Sequence, residues 1–277
     1  MNLPEGYTLL NRGPATLAVR QSCAQSLLRQ GIDDPERLIR TAGRSAQQLQ
    51  GRGTVPSVPI EGRPGQRMII RKYLRGGLVR FFNRDLYLGH MRPFRELAVA
   101  AEAASRGIPT ADILAAVSIR AAGPLYRSYL VSQQLQACLD LPSYLQERHR
   151  IAGPSFRREK SDLIARTAAA VRSMHARGVY HGDLNLKNML IDTEDRTTVF
   201  IIDWDKSRIK RSLSPEEQSA NVVRLCRSMA KLARRGVPVT VQDQLLFLDC
   251  YWKDAVAVDR DFRRLQKALL RRRGYRR

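Results

Sequence analysis

The 277-residue sequence predicts an α+β fold, strand-rich in its first half and mainly helical in its second. Three observations predict it. Short apolar runs bounded by glycine and proline recur as far as Val131, whereas from Ser161 onward apolar residues recur at helical spacing. Between the later helices, Met189-Leu190-Ile191 and Val199-Phe200-Ile201-Ile202 read as two short strands joined by a polar turn. A chain of this length exceeds the usual single domain. The expected division is an N-terminal extension over 1–45, a strand-rich lobe over 46–135, and a helical lobe with a basic tail over 136–277.

The first 45 residues mix short apolar stretches with Gly13-Pro14 and Asp33-Asp34-Pro35, and nothing in them reads as chemistry. From Gln47 the pattern turns extended, through Leu49, the Gly51-Arg52-Gly53 turn, Val58 and Ile60. After Gly62-Arg63-Pro64-Gly65, the run Met68-Ile69-Ile70 reads as a buried strand ending in Arg71-Lys72-Tyr73. A helix follows, with Pro93 in its first turn, Phe94, Leu97, Ala98, Ala101 and Ala104 on one face, and Gly107 as its stop. Residues 113–117 and 126–131 supply two more strands. In the second half, Ser161 is the expected cap of a helix carrying Ile164, Ala168, Val171 and Met174, stopped by Gly178. Ser214-Pro215-Glu216-Glu217 combines a capping-box Ser and Glu with proline at the first helical position, and opens a helix bearing Val222, Leu225, Met229 and Leu232.

Composition narrows the functional classes. With 48 Lys and Arg against 26 Asp and Glu, the formal charge is +22, which draws the surface toward a polyanion: nucleic acid, an anionic lipid headgroup or a phosphorylated substrate. Cys23, Cys138, Cys226 and Cys250 are far apart with no C-x-x-C pair, which argues against a zinc site or a disulfide framework and favours a reducing, cytoplasmic compartment. No apolar run approaches the length of a membrane span, so any membrane contact is expected to be peripheral.

The chemistry sits in two motifs. Residues 181–188, His-Gly-Asp-Leu-Asn-Leu-Lys-Asn, reproduce the D-x-x-x-x-N spacing of a kinase catalytic loop, in which a carboxylate accepts the hydroxyl proton and an amide oxygen binds magnesium. Asp203 follows 20 residues after Asp183, at the end of an apolar strand, where a second metal-binding carboxylate belongs. Phosphoryl transfer needs little more: a base, a hard cation on oxygen ligands, here Asn188 and Asp203, and cations for the nucleotide. Asp183 is therefore the expected catalytic base and Lys187 a cation for the transferring group. Asp205 is open between holding the metal or the sugar and capping or pairing locally. His181 is expected to brace the loop by hydrogen bonding, since Asp183 already fills the role of base.

These stretches resemble the lipopolysaccharide kinase family, specifically the kinases of 3-deoxy-D-manno-octulosonic acid (Kdo). The matching residues include Leu49-x-Gly51-Arg52-Gly53, Arg71 to Leu78, Phe94-Arg95-Glu96, Val179 to Asn185, Ile202 to Lys206 and the helix from Asn221 to Leu232. The resemblance implies a protein-kinase-like fold of two lobes and transfer of phosphate from ATP, with Mg2+, to a Kdo hydroxyl of a lipid A glycolipid at the cytoplasmic face of the inner membrane. It also implies that Gly51 and Gly53 form the loop covering the phosphates, that Lys72 is the nucleotide cation, and that Glu96 orients it; Arg71, one residue away, is the alternative to Lys72. Two departures from protein kinases favour a constitutively active kinase of a small molecule or a glycolipid. Gly182 replaces the arginine that reads a phosphorylated activation loop, and the stretch from Asp203 to Ser214 is short and has no A-P-E.

From Arg260 to Arg277 the sequence holds nine Lys or Arg and one acidic residue, with Phe262, Leu265, Leu269 and Leu270 interleaved. A basic amphipathic helix of this kind suits an anionic membrane surface. The absence of an aromatic stacking set or zinc spacing disfavours nucleic acid. Two other readings stand beside the Kdo kinase: a kinase of a heptose, aminoglycoside-like or protein acceptor, and a non-catalytic nucleotide- or RNA-binding pseudokinase.

Overall fold

The computed structural model describes residues 3–43, 46–49, 55–74 and 85–252. The glycines at 51 and 53, the Arg-Gly-Gly run at 75–77 and the basic tail lie outside them. The chain divides into two compact units, one of residues 1–102 and 111–135, the other of residues 103–110 and 136–277.

In the first unit, β1 (Tyr7–Arg12), β2 (Ala15–Arg20), α1 (Ala24–Arg29), α2 (Pro35–Ala42), β3 (Gln47–Leu49), β4 (Val55–Pro59), β5 (Arg67–Lys72), β6 (Tyr87–Leu88), α3 (Arg92–Ser105), β7 (Ile113–Ala122) and β8 (Leu125–Gln133) follow in order. The strands form one antiparallel sheet in the order β1-β2-β7-β8-β5-β4-β3, with β6 also on β8. One face buries Leu17, Val19, Met68, Ile70, Val117 and Val131 against Leu27, Ile32 and Leu38 of the α1–α2 region. Residues 7–42, expected as a separate extension, thus supply two strands and two helices to this unit. Their contribution rests on long-range pairing, such as Thr16 opposite Ser118, which local sequence pattern does not reveal.

Period-2 alternation along β5 decides where its charged end points. Met68 and Ile70 face the α1–α2 core, so Lys72 lies on that face, while Arg71 lies on the other. α3 ends at Gly107 as expected: Gly107 is left-handed (φ 74°), its N–H donates to Ala104 and that of Ile108 to Ala103, satisfying the last carbonyls.

The second unit holds β9 (Cys138–Asp140), α4 (Leu141–Ala152), α5 (Phe156–Ala176), β10 (Val179–Tyr180), β11 (Met189–Asp192), β12 (Val199–Ile201), β13 (Arg208–Ile209), α6 (Pro215–Ala233) and α7 (Val241–Trp252). α5 begins five residues before the expected cap. Ser161 lies inside the helix and donates its hydroxyl to the Arg157 carbonyl, the back-bond available to serine in a helix interior. Ser214 and Glu217 do form the capping box of α6. Two small sheets, β12-β11-β9 and β10-β13, frame the motif-bearing loops. No helix among the described residues is long and apolar enough to cross a membrane.

Candidate active site

The loop from His181 to Asn188 leaves β10 and closes in a single 3-10 turn, Leu186–Asn188, before β11. Its shape is set by one carbonyl. Asn185 Nδ2 and Asn188 Nδ2 both donate to the backbone oxygen of Asp183, at 2.8 and 2.9 Å, and Asn185 Oδ1 accepts from the Lys187 N–H. The Asn188 amide nitrogen is thereby committed, and its side-chain oxygen is the atom left for a ligand. Lys187 is exposed on the turn.

β11 and β12 bring the second motif to this loop. Met189 opposes Ile201, and one step further the Ile202 N–H donates to the Asn188 carbonyl at 3.0 Å. Asn188 and Asp203 therefore sit at neighbouring strand ends, although fifteen positions apart in sequence. Asp203 is left-handed, with φ 67°, a conformation uncommon for a residue with a Cβ and concentrated at functional sites. Trp204 next to it is 2% exposed, donates its indole N–H to Thr110 at 2.8 Å and packs on His181, locking the backbone on the far side of Asp203.

His181 joins the two motifs directly. Its Nδ1 accepts from the Asp183 N–H at 3.1 Å, so the ring proton belongs on Nε2, which donates to the Ile202 carbonyl at 3.1 Å. Burial lowers its pKa, keeping the ring neutral and this tautomer in force. The backbone of His181 is held in turn by Asn221 of α6, whose Oδ1 accepts from the His181 N–H at 3.1 Å and whose Nδ2 donates to its carbonyl at 2.9 Å. Asn221 Oδ1 also accepts from His175 Nε2, and His175 Nδ1 accepts from the Tyr251 hydroxyl at 2.5 Å, which extends the brace to α5 and α7.

Burial pushes His175 down to about 4. An unfolded histidine titrates near 6.5, so the native state has its full stability above that pH and loses it as the pH falls from about 6.5 toward 4, where only the unfolded chain takes up the proton. The loss expected from His175 alone is about 3 kcal/mol across that window. Urea unfolding of the protein and of His175→Gln at pH 7, 6 and 5 measures it. The variant should have a flatter dependence, and equal slopes would remove His175 from the account.

Gly182 admits no side chain. A Cβ there would lie 2.5 Å from the Lys206 carbonyl oxygen and 2.8 Å from that of Asp205, because the 203–207 turn packs onto it, and the Gly182 N–H donates to the Ser207 hydroxyl. Arg224 of α6 brings its guanidinium to 3.7 Å from the Asp183 carboxylate. Sequence reasoning assigned no role to Arg224 or Ser207, because only the fold puts them beside the motifs, and none to Asn185, whose bonds within the loop are visible only in the structure.

The donor set suits magnesium. A side-chain amide oxygen and a carboxylate are hard oxygen ligands, and a magnesium that also binds nucleotide phosphates needs only one or two ligands from protein. Among the described residues no three His, Cys, Asp or Glu cluster into a metal cage.

In the first unit, Glu96 of α3 is 3% exposed and paired with Arg71, while the Tyr73 hydroxyl donates to its other oxygen. The pairing expected between Lys72 and Glu96 is therefore corrected to Arg71 and Glu96. The cause is the strand alternation described above: Lys72 points to the α2 face, where it pairs with Glu36 and, at 2.6 Å, with Asp85.

Comparison with known proteins identifies the family. Residues 36–251 match the model of the lipopolysaccharide kinase (Kdo/WaaP) family. The chain is 29% identical over 248 residues to a 3-deoxy-D-manno-octulosonic acid kinase of Vibrio parahaemolyticus, covering 86% of this chain and 90% of that protein. A protein of the same name from Xanthomonas oryzae pv. oryzae is 32% identical over 210 residues, covering 74% and 72%. Among solved structures, WaaP in complex with acyl carrier protein shares the fold, with a TM-score of 0.55 at 20% identity over 97% of each chain. A family match across most of the sequence, together with the kinases it resembles, establishes a phosphotransferase, and the chain belongs to the lipopolysaccharide kinase (Kdo/WaaP) family.

Proposed function

We propose that this chain is an ATP- and magnesium-dependent kinase that phosphorylates a hydroxyl of the Kdo sugar in a lipid A glycolipid. It works peripherally at the cytoplasmic face of the inner membrane and has a protein-kinase-like fold whose two units correspond to two lobes. The observation that carries this reading is the backbone bond from Ile202 to Asn188, which supports Asn188 and Asp203 as joint oxygen ligands next to the loop that bears Asp183. The names of the relatives support Kdo as the acceptor, and the charge of +22 supports contact with an anionic membrane.

Asp183 accepts the proton of the attacking hydroxyl. Its carbonyl and N–H are held by Asn185, Asn188 and His181, so the carboxylate is presented from a fixed backbone. Magnesium, when bound, supplies neutralisation of the phosphate charge, with Asn188 Oδ1 and the Asp203 carboxylate as its protein ligands. Lys187 is the cation for the transferring group. Gly51 and Gly53 cover the phosphates with backbone, a role that rests on sequence alone. Arg71, oriented by the buried Glu96, takes the nucleotide-cation role for which the resemblance offered Lys72 with Arg71 as the alternative. Arg71→Ala should raise the KM for ATP by roughly 10- to 100-fold, the scale of one lost charge-assisted contact. Lys72→Ala should leave it nearly unchanged, and the opposite ranking in initial-rate measurements would restore Lys72.

The test of the function is direct. Purified protein with ATP, magnesium and Kdo-lipid A should yield a glycolipid heavier by one phosphate in mass spectra. Labelling of a heptose, an aminoglycoside or a peptide instead would reassign the acceptor, and nucleotide binding without any transfer would identify a pseudokinase.

A further inference from the structure

Arg224, Arg227, Lys231, Arg234 and Arg235 are all exposed, at successive positions along α6 and its C-terminal end. At about 100° and about 1.5 Å per residue, Arg224, Arg227 and Lys231 fall within an arc of about 60° and span about 11 Å, and Arg234 and Arg235 follow directly after the last helical residue, Ala233. The arc flanks the side of α6 that seats the catalytic loop, where Asn221 holds His181 and the Ser228 hydroxyl accepts from the Leu186 N–H at 3.4 Å. Its first member, Arg224, lies beside the Asp183 carboxylate. The acidic residues of the helix, Glu216 and Glu217, are confined to its first turn, and Glu217 is paired with Lys210 at 2.7 Å. Arg227, Lys231, Arg234 and Arg235 have no ion-pair partner among the described residues.

A run of cations on a helix is most often a solvated face. Two features set this one apart: it starts at the proposed base, and it continues outward with no interspersed carboxylate. We propose that this stripe of α6 is the acceptor-binding surface, taking the anionic groups of the glycolipid, its sugar carboxylate and lipid A phosphates, while the hydroxyl to be phosphorylated lies at Asp183. The inference rests on the Kdo-lipid A reading above and assigns residues to its substrate. The charge is complementary, and a stripe leading to the base draws an anionic acceptor in the productive direction.

The test uses the full-length protein with Kdo-lipid A in neutral detergent micelles. The quadruple variant R227A/K231A/R234A/R235A should raise the KM for the acceptor by about 10- to 100-fold, with the KM for ATP and the kcat at saturation unchanged. Removing the lipid A phosphates from the acceptor should narrow the gap between variant and parent. R227K/R234K/R235K, which keeps the charge, should behave as the parent, whereas a defect equal to that of the alanine variant would mean that shape rather than charge matters and would overturn the proposal. An unchanged acceptor KM in micelles together with lost binding to anionic phosphatidylglycerol vesicles would also overturn it, by assigning the stripe to the bulk membrane. Calorimetric binding of Kdo-lipid A micelles without nucleotide separates the two readings. Weaker binding by the quadruple variant supports the surface even if no phosphate is transferred, and equal binding removes it even if turnover proceeds.

Discussion

Asp183→Ala is expected to lower kcat by about 100- to 10,000-fold while the protein stays folded, the scale of losing a general base. The separation of chemistry from stability follows from which atoms of Asp183 hold the loop. Its carbonyl accepts from Asn185 and Asn188, and its N–H donates to His181; these are backbone groups and survive the substitution. The carboxylate is partly exposed and lies 3.7 Å from Arg224, an ion pair that contributes little at such exposure. Turnover measured at saturating substrates, alongside a urea titration, checks both halves. Retained activity would remove Asp183 from its role, and a collapsed fold would mean that the side chain is structural.

Gly182→Ala is expected to damage both. The added methyl meets the carbonyls of Asp205 and Lys206, which are backbone and cannot swing away as a flexible side chain would. The 203–207 turn must shift, at a cost of about 1–3 kcal/mol. Asp203 begins that turn in a left-handed conformation, so the displacement carries it away from Asn188, and turnover should fall by about 100-fold. The same packing accounts for glycine where protein kinases carry arginine. Wild-type stability and kcat in Gly182→Ala would show that the turn yields freely and that its packing has no functional weight.

The sequence made the second unit legible and the first much less so. The two short strands and their polar turn were legible, and they pair in the expected manner, with Met189 opposite Ile201, which sets the strand ends at Asn188 and Asp203 side by side. The capping box at Ser214 and the stop at Gly107 were legible as well, since each depends on residues within one turn. Residues 7–42 were not, because β1 joins the sheet only through β2, and β2 joins it by pairing with residues a hundred positions away. The choice between Arg71 and Lys72 depended on the phase of one strand. Met68 and Ile70 fix that phase, but only against a core whose other half comes from α1 and α2. Arg224 and Ser207 carried no signal at all, each an ordinary polar residue until the fold sets it beside the loop, and Asn185, inside the loop, showed nothing in sequence of the two hydrogen bonds that anchor it.

In the proposed function Asp183, Asn188 and Asp203 act as one centre rather than three separate aids, and a mutant cycle reads that most directly. With ATP, magnesium and Kdo-lipid A, kcat is measured for Asp183→Ala, Asp203→Ala and the double variant. Residues acting as a unit lose nearly everything at the first substitution, so the double variant should be about as slow as the slower single one. If the two losses multiply, the carboxylates work independently, and the single-centre account is wrong.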